Sequence, residues 1–366
     1  MRAKIGLPGD ACVILFLGRL SFIDKADLHP LLFAFRQILE ARGRPRTLLL
    51  VLAGSDSGGY LAALQARIAE LELTKSVRIL AQPREAHLLF SAADVFVSPA
   101  DSLQESFGLS VIEAMASGVP QVVSDWNGYR ETVEHGGTGF LVPTYWARAD
   151  TDICKVSPLF GSEWDYDHAL LGQQVAVDCA KLREYLELLI HNSDLREEMG
   201  NRSRKRAVAL FSWPVIVRQY EALWRELRQI AWGAPLNGTS RMSYAQPAYF
   251  DTFKHYATRI LDDDAEFEIT PRGTQALTAG GREFRGYPAI RTALLDAQVL
   301  ERALGAFDPG KVSDESPARK TLSEVARELV AGNPEYHKDR AKRHILWLLK
   351  QGYISAREND RNSTEG

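Results

Sequence analysis

Cysteine is scarce in this 366-residue chain, with three residues at Cys12, Cys154 and Cys179. They form no CxxC pair and no metal-type spacing. So odd and sparse a set points to a reducing compartment and excludes a disulfide scaffold. Long apolar runs are missing as well. VILFL and LLLVLA are about a strand long, where a membrane span needs roughly 20 residues. The opening MRAKIGLPGD lacks the apolar stretch of a secretory signal. Neither sign of charge is in excess: 44 Lys and Arg face 47 Asp and Glu, a net charge of −3. A general nucleic-acid binder leans on a basic surface, so no nucleic-acid partner is expected. Internal repeats and long low-complexity tracts are absent. So are a paired DxD motif and a histidine cluster; His29, His87, His135 and His168 stand alone. No metal is inferred. What remains, at 45% hydrophobic and 25% charged, is the composition of a globular α/β protein, expected in the cytoplasm. A transmembrane segment is not expected; peripheral membrane contact stays open.

The first 150 residues alternate two patterns. Short apolar runs at Cys12–Leu17, Thr47–Ala53, Val77–Leu80, Asp94–Ser98 and Gln121–Ser124 read as strands buried on both faces. Between them, Leu28–Arg42, Tyr60–Glu72, Arg84–Ala92, Phe107–Ser117 and Tyr129–Glu134 carry helical spacing. This alternation predicts a doubly wound parallel sheet, Rossmann-like. Residues 145–176 break the pattern and read as an irregular insertion. Val177–Asn192, Asp194–Leu210 and a long aromatic helix ending near Trp232 then close a domain spanning 1–232. Residues 233–246, rich in Pro, Gly, Ser and Asn, read as a linker. Residues 247–356 read as a separate, mainly helical appendage with a winged-helix flavour in FEITPRG and HILWLLKQGYIS. Residues 357–366 read as a disordered tail.

Three features converge on an anionic ligand. In FLGRLSFIDK a strand ends at Gly18, whose lack of a side chain permits close approach. Arg19 and Lys25 follow in one loop at the strand's carboxyl end, where open parallel sheets bind ligands. The guanidinium can fork onto phosphate oxygens and the ammonium adds a point charge. Two solvated surface cations are the plainer alternative. Next, Glu105-Ser106-Phe107-Gly108-Leu109-Ser110 leads into a helix holding Glu113. The helix's first N–H groups lack internal partners and face an anion. Glu113 suits a vicinal diol and Glu105 suits sugar hydroxyls, although Ser102-x-x-Glu105 and Ser110-x-x-Glu113 also fit capping boxes. Last, glycine turns at Gly54, Gly128 and Gly136–Gly139 lie where ligand loops sit, or serve simply as turns.

These residues resemble a known family. The basic pair, ESFGLSVIEAMASGVPQVVSDWNGYRETVEHGGTGFLVP and the strand SAADVFVSPA look like the donor-binding half of the retaining, family-4 (group 1) glycosyltransferases. Those enzymes have the two-domain GT-B architecture. The resemblance spans about residues 1–230. It implies that Arg19 and Lys25 hold the diphosphate of a nucleotide sugar and that Glu105 binds the transferred sugar. Backbone N–H groups of Phe107 and Gly108 would line the sugar pocket, and those of Leu109 and Ser110 the phosphates. Glu113 would hold the ribose, with Ile79 and Leu80 near the base. The implied reaction is transfer of a hexose with retention of configuration, without an obligatory metal or other cofactor. One departure is Lys25-Ala26, where the family's commonest form has Lys-Gly. A second is the family's acceptor-binding domain, expected ahead of Met1 and absent, so the isolated chain is expected to be inactive and a separate acceptor-domain chain is an implied partner. The alternative is a non-catalytic nucleotide-sugar-binding or regulatory module.

Overall fold

A computed structural model describes residues 2–41, 47–56, 59–83, 85–153, 164–233, 248–287, 294–311, 319–332 and 336–357. Six parallel strands form the main sheet: β1 (Cys12–Leu17), β2 (Leu48–Gly54), β3 (Val77–Ala81), β4 (Val95–Ser98), β5 (Gln121–Ser124) and β6 (Gly139–Val142). Their order is β3-β2-β1-β4-β5-β6, so the chain reverses direction across the sheet between β1 and β4. In open α/β sheets ligands bind at such a switch point, outside the carboxyl ends of the strands.

The central strands β1 and β2 are apolar throughout because both of their faces are covered. On β1, Ile14 and Phe16 enter one core, while Val13 and Leu15 enter the other. On β2, Leu50 and Leu52 take the first face, and Leu49 and Val51 the second. Helices His29–Glu40, Tyr60–Glu70, Ala86–Ala92, Leu109–Ala116 and Tyr129–Thr132 connect the strands. Strand β6 was not expected from the sequence, where its glycine-rich approach reads as a turn. It pairs with β5 along Gln121–Ser124. Further on come helices Cys179–His191, Ser193–Phe211 and Trp213–Gly233. No helix of the described residues is long and apolar enough to cross a membrane.

The stretch expected as an irregular insertion carries β7 (Thr144–Ala147), a helix at Trp164–Gly172 and β8 (Ala176–Val177). β7 pairs with β8 and, in parallel, with β9 (Arg259–Leu261), from the segment expected as a separate appendage. One apolar cluster runs from Phe16 and Trp146 through Tyr287, Trp347 and Tyr353. The carboxy-terminal segment thus shares a sheet and a core with the doubly wound unit. Apolar matching over long sequence separation makes that contact, and no local pattern announces it. Within the segment, β10 (Glu266–Ile269) lies between β11 (Lys320–Thr321) and β12 (Ile354–Ala356), antiparallel to both. The winged helix expected from FEITPRG and HILWLLKQGYIS falls in this part of the chain. Its last helix, Lys338–Lys350, is buried from Ala341 to Lys350. Two buried cations of that helix face protein carboxylates: Arg343 forks onto Asp152 at 2.6 Å and Lys350 meets Asp101 at 2.7 Å. The linker and tail expected at 233–246 and 357–366 lie almost wholly outside the described residues.

Candidate functional site

Lys25 and Glu105 come from different loops, one after β1 and one after β4, and meet at the switch point. Their side chains form an ion pair and are 9% and 11% exposed. The Tyr129 hydroxyl lies 3.2 Å from both the Lys25 ammonium and the Glu105 carboxylate. Ser98, at the end of β4, shares a 2.8 Å hydrogen bond with the same hydroxyl. Burial alone would push the lysine pKa down, but Tyr129 and Glu105 outweigh it and the pKa is raised. Burial pushes the Tyr129 phenol up to about 12, with Lys25 pulling the other way. At neutral pH the site therefore holds an ammonium and a neutral phenol that can donate. An ammonium has three donors, and two of them meet Glu105 and Tyr129.

Two glycines are required by this packing. A Cβ at Gly18 would sit 2.9 Å from Lys25 Cε, so the lysine stem runs where a side chain would be. Gly108 has φ +87°, and its Cβ would overlap the Tyr129 ring. Gly108 is also the N-cap of the helix, which starts at Leu109 rather than near Phe107 as its pattern suggested. The left-handed residue turns the chain into the helix, and the first-turn N–H groups of Leu109 and Ser110 open there without intrahelical partners. Glu113 lies exposed on this helix, and partial burial raises its pKa.

The loop after β5 fastens the Glu105 loop from the other side. The Asn127 side-chain amide donates to Glu105 O at 3.1 Å and to Ser106 O at 3.2 Å. The Trp126 indole donates to Ser102 O at 3.0 Å. Phe107 is partly exposed and packs edge-on to Phe211 at 6.1 Å.

Not every expected residue joins the cluster. Arg19 turns away from Lys25 and pairs with Asp24 at 2.8 Å, with its side chain 49% exposed. The acid in FIDK, one residue before Lys25, captures it. Ile79 and Leu80 stand on β3, the outer edge strand, two strands from β1. They pack against opposite cores, so their side chains cannot line one base pocket together. Tyr129, Ser98 and Asn127 escaped sequence reasoning. Their best signal was a polar residue, Ser98, ending a fully buried strand, and a tyrosine following an Asn-Gly turn.

Residues 1–155 match the model of a family described as glycosyl transferases group 1. A D-inositol 3-phosphate glycosyltransferase of Streptomyces scabiei is 37% identical over 168 residues, 43% of this chain and 37% of that protein. A protein of the same description from Corynebacterium jeikeium is 30% identical over 234 residues, 62% of this chain and 46% of its own length. Among solved structures, sucrose-phosphate synthase from Thermosynechococcus elongatus overlays with a TM-score of 0.47 at 27% identity, covering 63% of this chain and 48% of that one. The chain spans less than half the length of each of these two curated relatives. Lys25, Glu105 and Tyr129 all lie within the segment that matches the group 1 glycosyl transferase model.

Proposed function

We propose that this chain is the donor-binding part of a glycosyltransferase that takes a hexose from a nucleotide diphosphate sugar with retention of configuration. The observation that carries the reading is the Lys25–Glu105–Tyr129 cluster at the β1/β4 switch point, beside the open helix start at Leu109. In the reaction the bond from the anomeric carbon to the diphosphate breaks, and negative charge grows on the departing phosphate oxygen. Lys25 is placed to stabilise that charge. Its buried counter-ion keeps it protonated until the ligand arrives. Arg19 is a second cation for the diphosphate. Its exposed pair with Asp24 is of a kind worth about 0–1 kcal/mol, so release costs little.

Glu105 then turns from Lys25 to the sugar hydroxyls, with Tyr129 shared between them. Backbone N–H groups of Phe107 and Gly108 face the sugar, and those of Leu109 and Ser110 the phosphates. Glu113 takes the ribose diol. Two side-chain cations supply the charge that a metal would otherwise bring, so the proposal includes no obligatory metal. In this reading the acceptor is held by a second polypeptide unit. A thermal-shift panel of UDP-, GDP- and ADP-hexoses tests the reading, since a ligand of the folded state raises its melting temperature by mass action. A shift with one of the three is expected; no shift with any at millimolar ligand contradicts it.

A further inference from the structure

The site loops do not rest on the doubly wound unit alone. Asp101 lies four residues before Glu105 and Asp27 two residues after Lys25. The Asp101 carboxylate accepts from the Asp27 N–H at 3.3 Å, tying the two loops together. Both acids are then held by the carboxy-terminal segment. Lys350 reaches Asp101 at 2.7 Å, with side chains 1% and 2% exposed, and also donates to Gly172 O at 2.6 Å. Gln351 donates to the second Asp27 oxygen at 2.7 Å. The other Asp27 oxygen faces His29 Nδ1 at 2.8 Å and the Tyr60 hydroxyl at 3.3 Å. The loop after β5 is held from the same segment: Asn127 N–H donates to Tyr256 O at 3.2 Å, and Arg130 to His255 O at 3.0 Å.

We propose that the carboxy-terminal segment is a positioning element for the candidate site, with Lys350 and Gln351 setting the two loops that bring Glu105 and Lys25 together. A buried ion pair adds little net stability over apolar packing of the same volume. What it adds here is direction. An ammonium and an amide at the end of one rigid helix fix the roots of both loops in a single geometry. Misplacement of a reacting group by about 1 Å is enough to lose much of a site's effect. Lys350 and Gln351 touch neither Lys25 nor Glu105, so they act through Asp101 and Asp27.

The test uses the full chain with Lys350→Met and Asp101→Asn combined, which removes both charges and leaves neither ion unpaired. Lys25 accessibility is read first, without nucleotide, as its rate of acetylation by acetic anhydride, with exposed Lys181 as internal reference. UDP-hexose affinity is read second, by calorimetry. Lys25 is expected to react at least about fivefold faster relative to Lys181, and affinity to fall by a similar factor, the scale of one hydrogen bond lost. A folded variant with the parent's Lys25 rate and affinity within twofold overturns the positioning role and leaves the donor reading standing. The affinity arm rests on that donor reading. If neither protein binds nucleotide while Lys25 is unmasked in the variant, the donor reading falls and the positioning role holds. Should the double variant not fold, Gln351→Leu removes one hydrogen bond and no charge, and is scored by the same two readouts.

Discussion

Glu105→Gln separates charge from shape at the centre of the site. In the ligand-free protein the Glu105 carboxylate is the counter-ion of Lys25. A diphosphate must therefore compete with it for the ammonium and approach a carboxylate of its own sign. The glutamine keeps the size and one acceptor oxygen but removes both obstacles. Charge-assisted hydrogen bonds contribute about 1.5–3 kcal/mol each. Releasing even half of one such bond to the ligand is worth about 1 kcal/mol, roughly fivefold in affinity. Free nucleotide diphosphate is thus expected to bind the variant as well as the parent or up to about fivefold tighter. A nucleotide sugar gains the same share at its diphosphate but loses a charged acceptor for its hydroxyls, so relative to the free diphosphate its affinity should fall at least tenfold. Glu113→Gln, by contrast, should weaken both ligands alike, because both carry the ribose. The assay is calorimetric titration of each variant with nucleotide diphosphate and with the matching nucleotide sugar, at equal folded fraction. If Glu105→Gln weakens the free diphosphate as much as the sugar nucleotide, the reasoning fails. Glu105 is then only a counter-ion that holds Lys25 in place.

Three further outcomes follow from the same geometry. Gly108→Ala combines a left-handed backbone with overlap on the Tyr129 ring; it should cost about 1–3 kcal/mol, seen as a lower urea midpoint, and should weaken nucleotide binding in the folded remainder. Asp101 has its pKa pushed up to about 6, first by burial and then by Asp27, against the pull of Lys350. A folded value above the unfolded one favours the fold at low pH, and that contribution fades as pH rises from about 4 through 6. Asp101→Asn should therefore flatten stability between pH 4 and 7 by an amount on the order of 2–3 kcal/mol, read from denaturant midpoints at each pH; an unchanged slope contradicts it. Helix Trp213–Gly233 exposes Trp213, Tyr220, Trp224 and Trp232 at 51–79%. Trp224→Glu on this face should move stability by less than about 0.5 kcal/mol, read from denaturant midpoints; a larger loss contradicts the exposure of this face.

The parallel sheet was legible because strands buried on both faces are apolar without alternation and their connecting helices keep a 3.6-residue period. Strand β6 was not, since Gly136 to Gly139 mark a turn more loudly than four residues mark a strand. The pairing of Lys25 with Glu105 follows from where β1 and β4 end, which the strand order supplies and the sequence only suggests. The pairing of Arg19 with Asp24 in the same loop is equally hidden, since FIDK offers the acid without showing which cation it meets. Tyr129 could not be weighted from the sequence, because its value depends on the space left at Gly108. The role of the last hundred residues was the least visible. Lys350 and Asp101 are far apart in sequence, and each alone looks like an ordinary surface charge until the core that buries them is assembled.

Titration of the chain with UDP, GDP and ADP, in the parent and in Lys25→Ala, tests the donor site most directly. Removing a charge-assisted contact of about 1.5–3 kcal/mol predicts saturable binding of one nucleotide to the parent and at least tenfold weaker binding to the folded variant. Equal affinity in the two proteins, or no binding of any of the three to the parent, would contradict the donor site at the β1/β4 switch point.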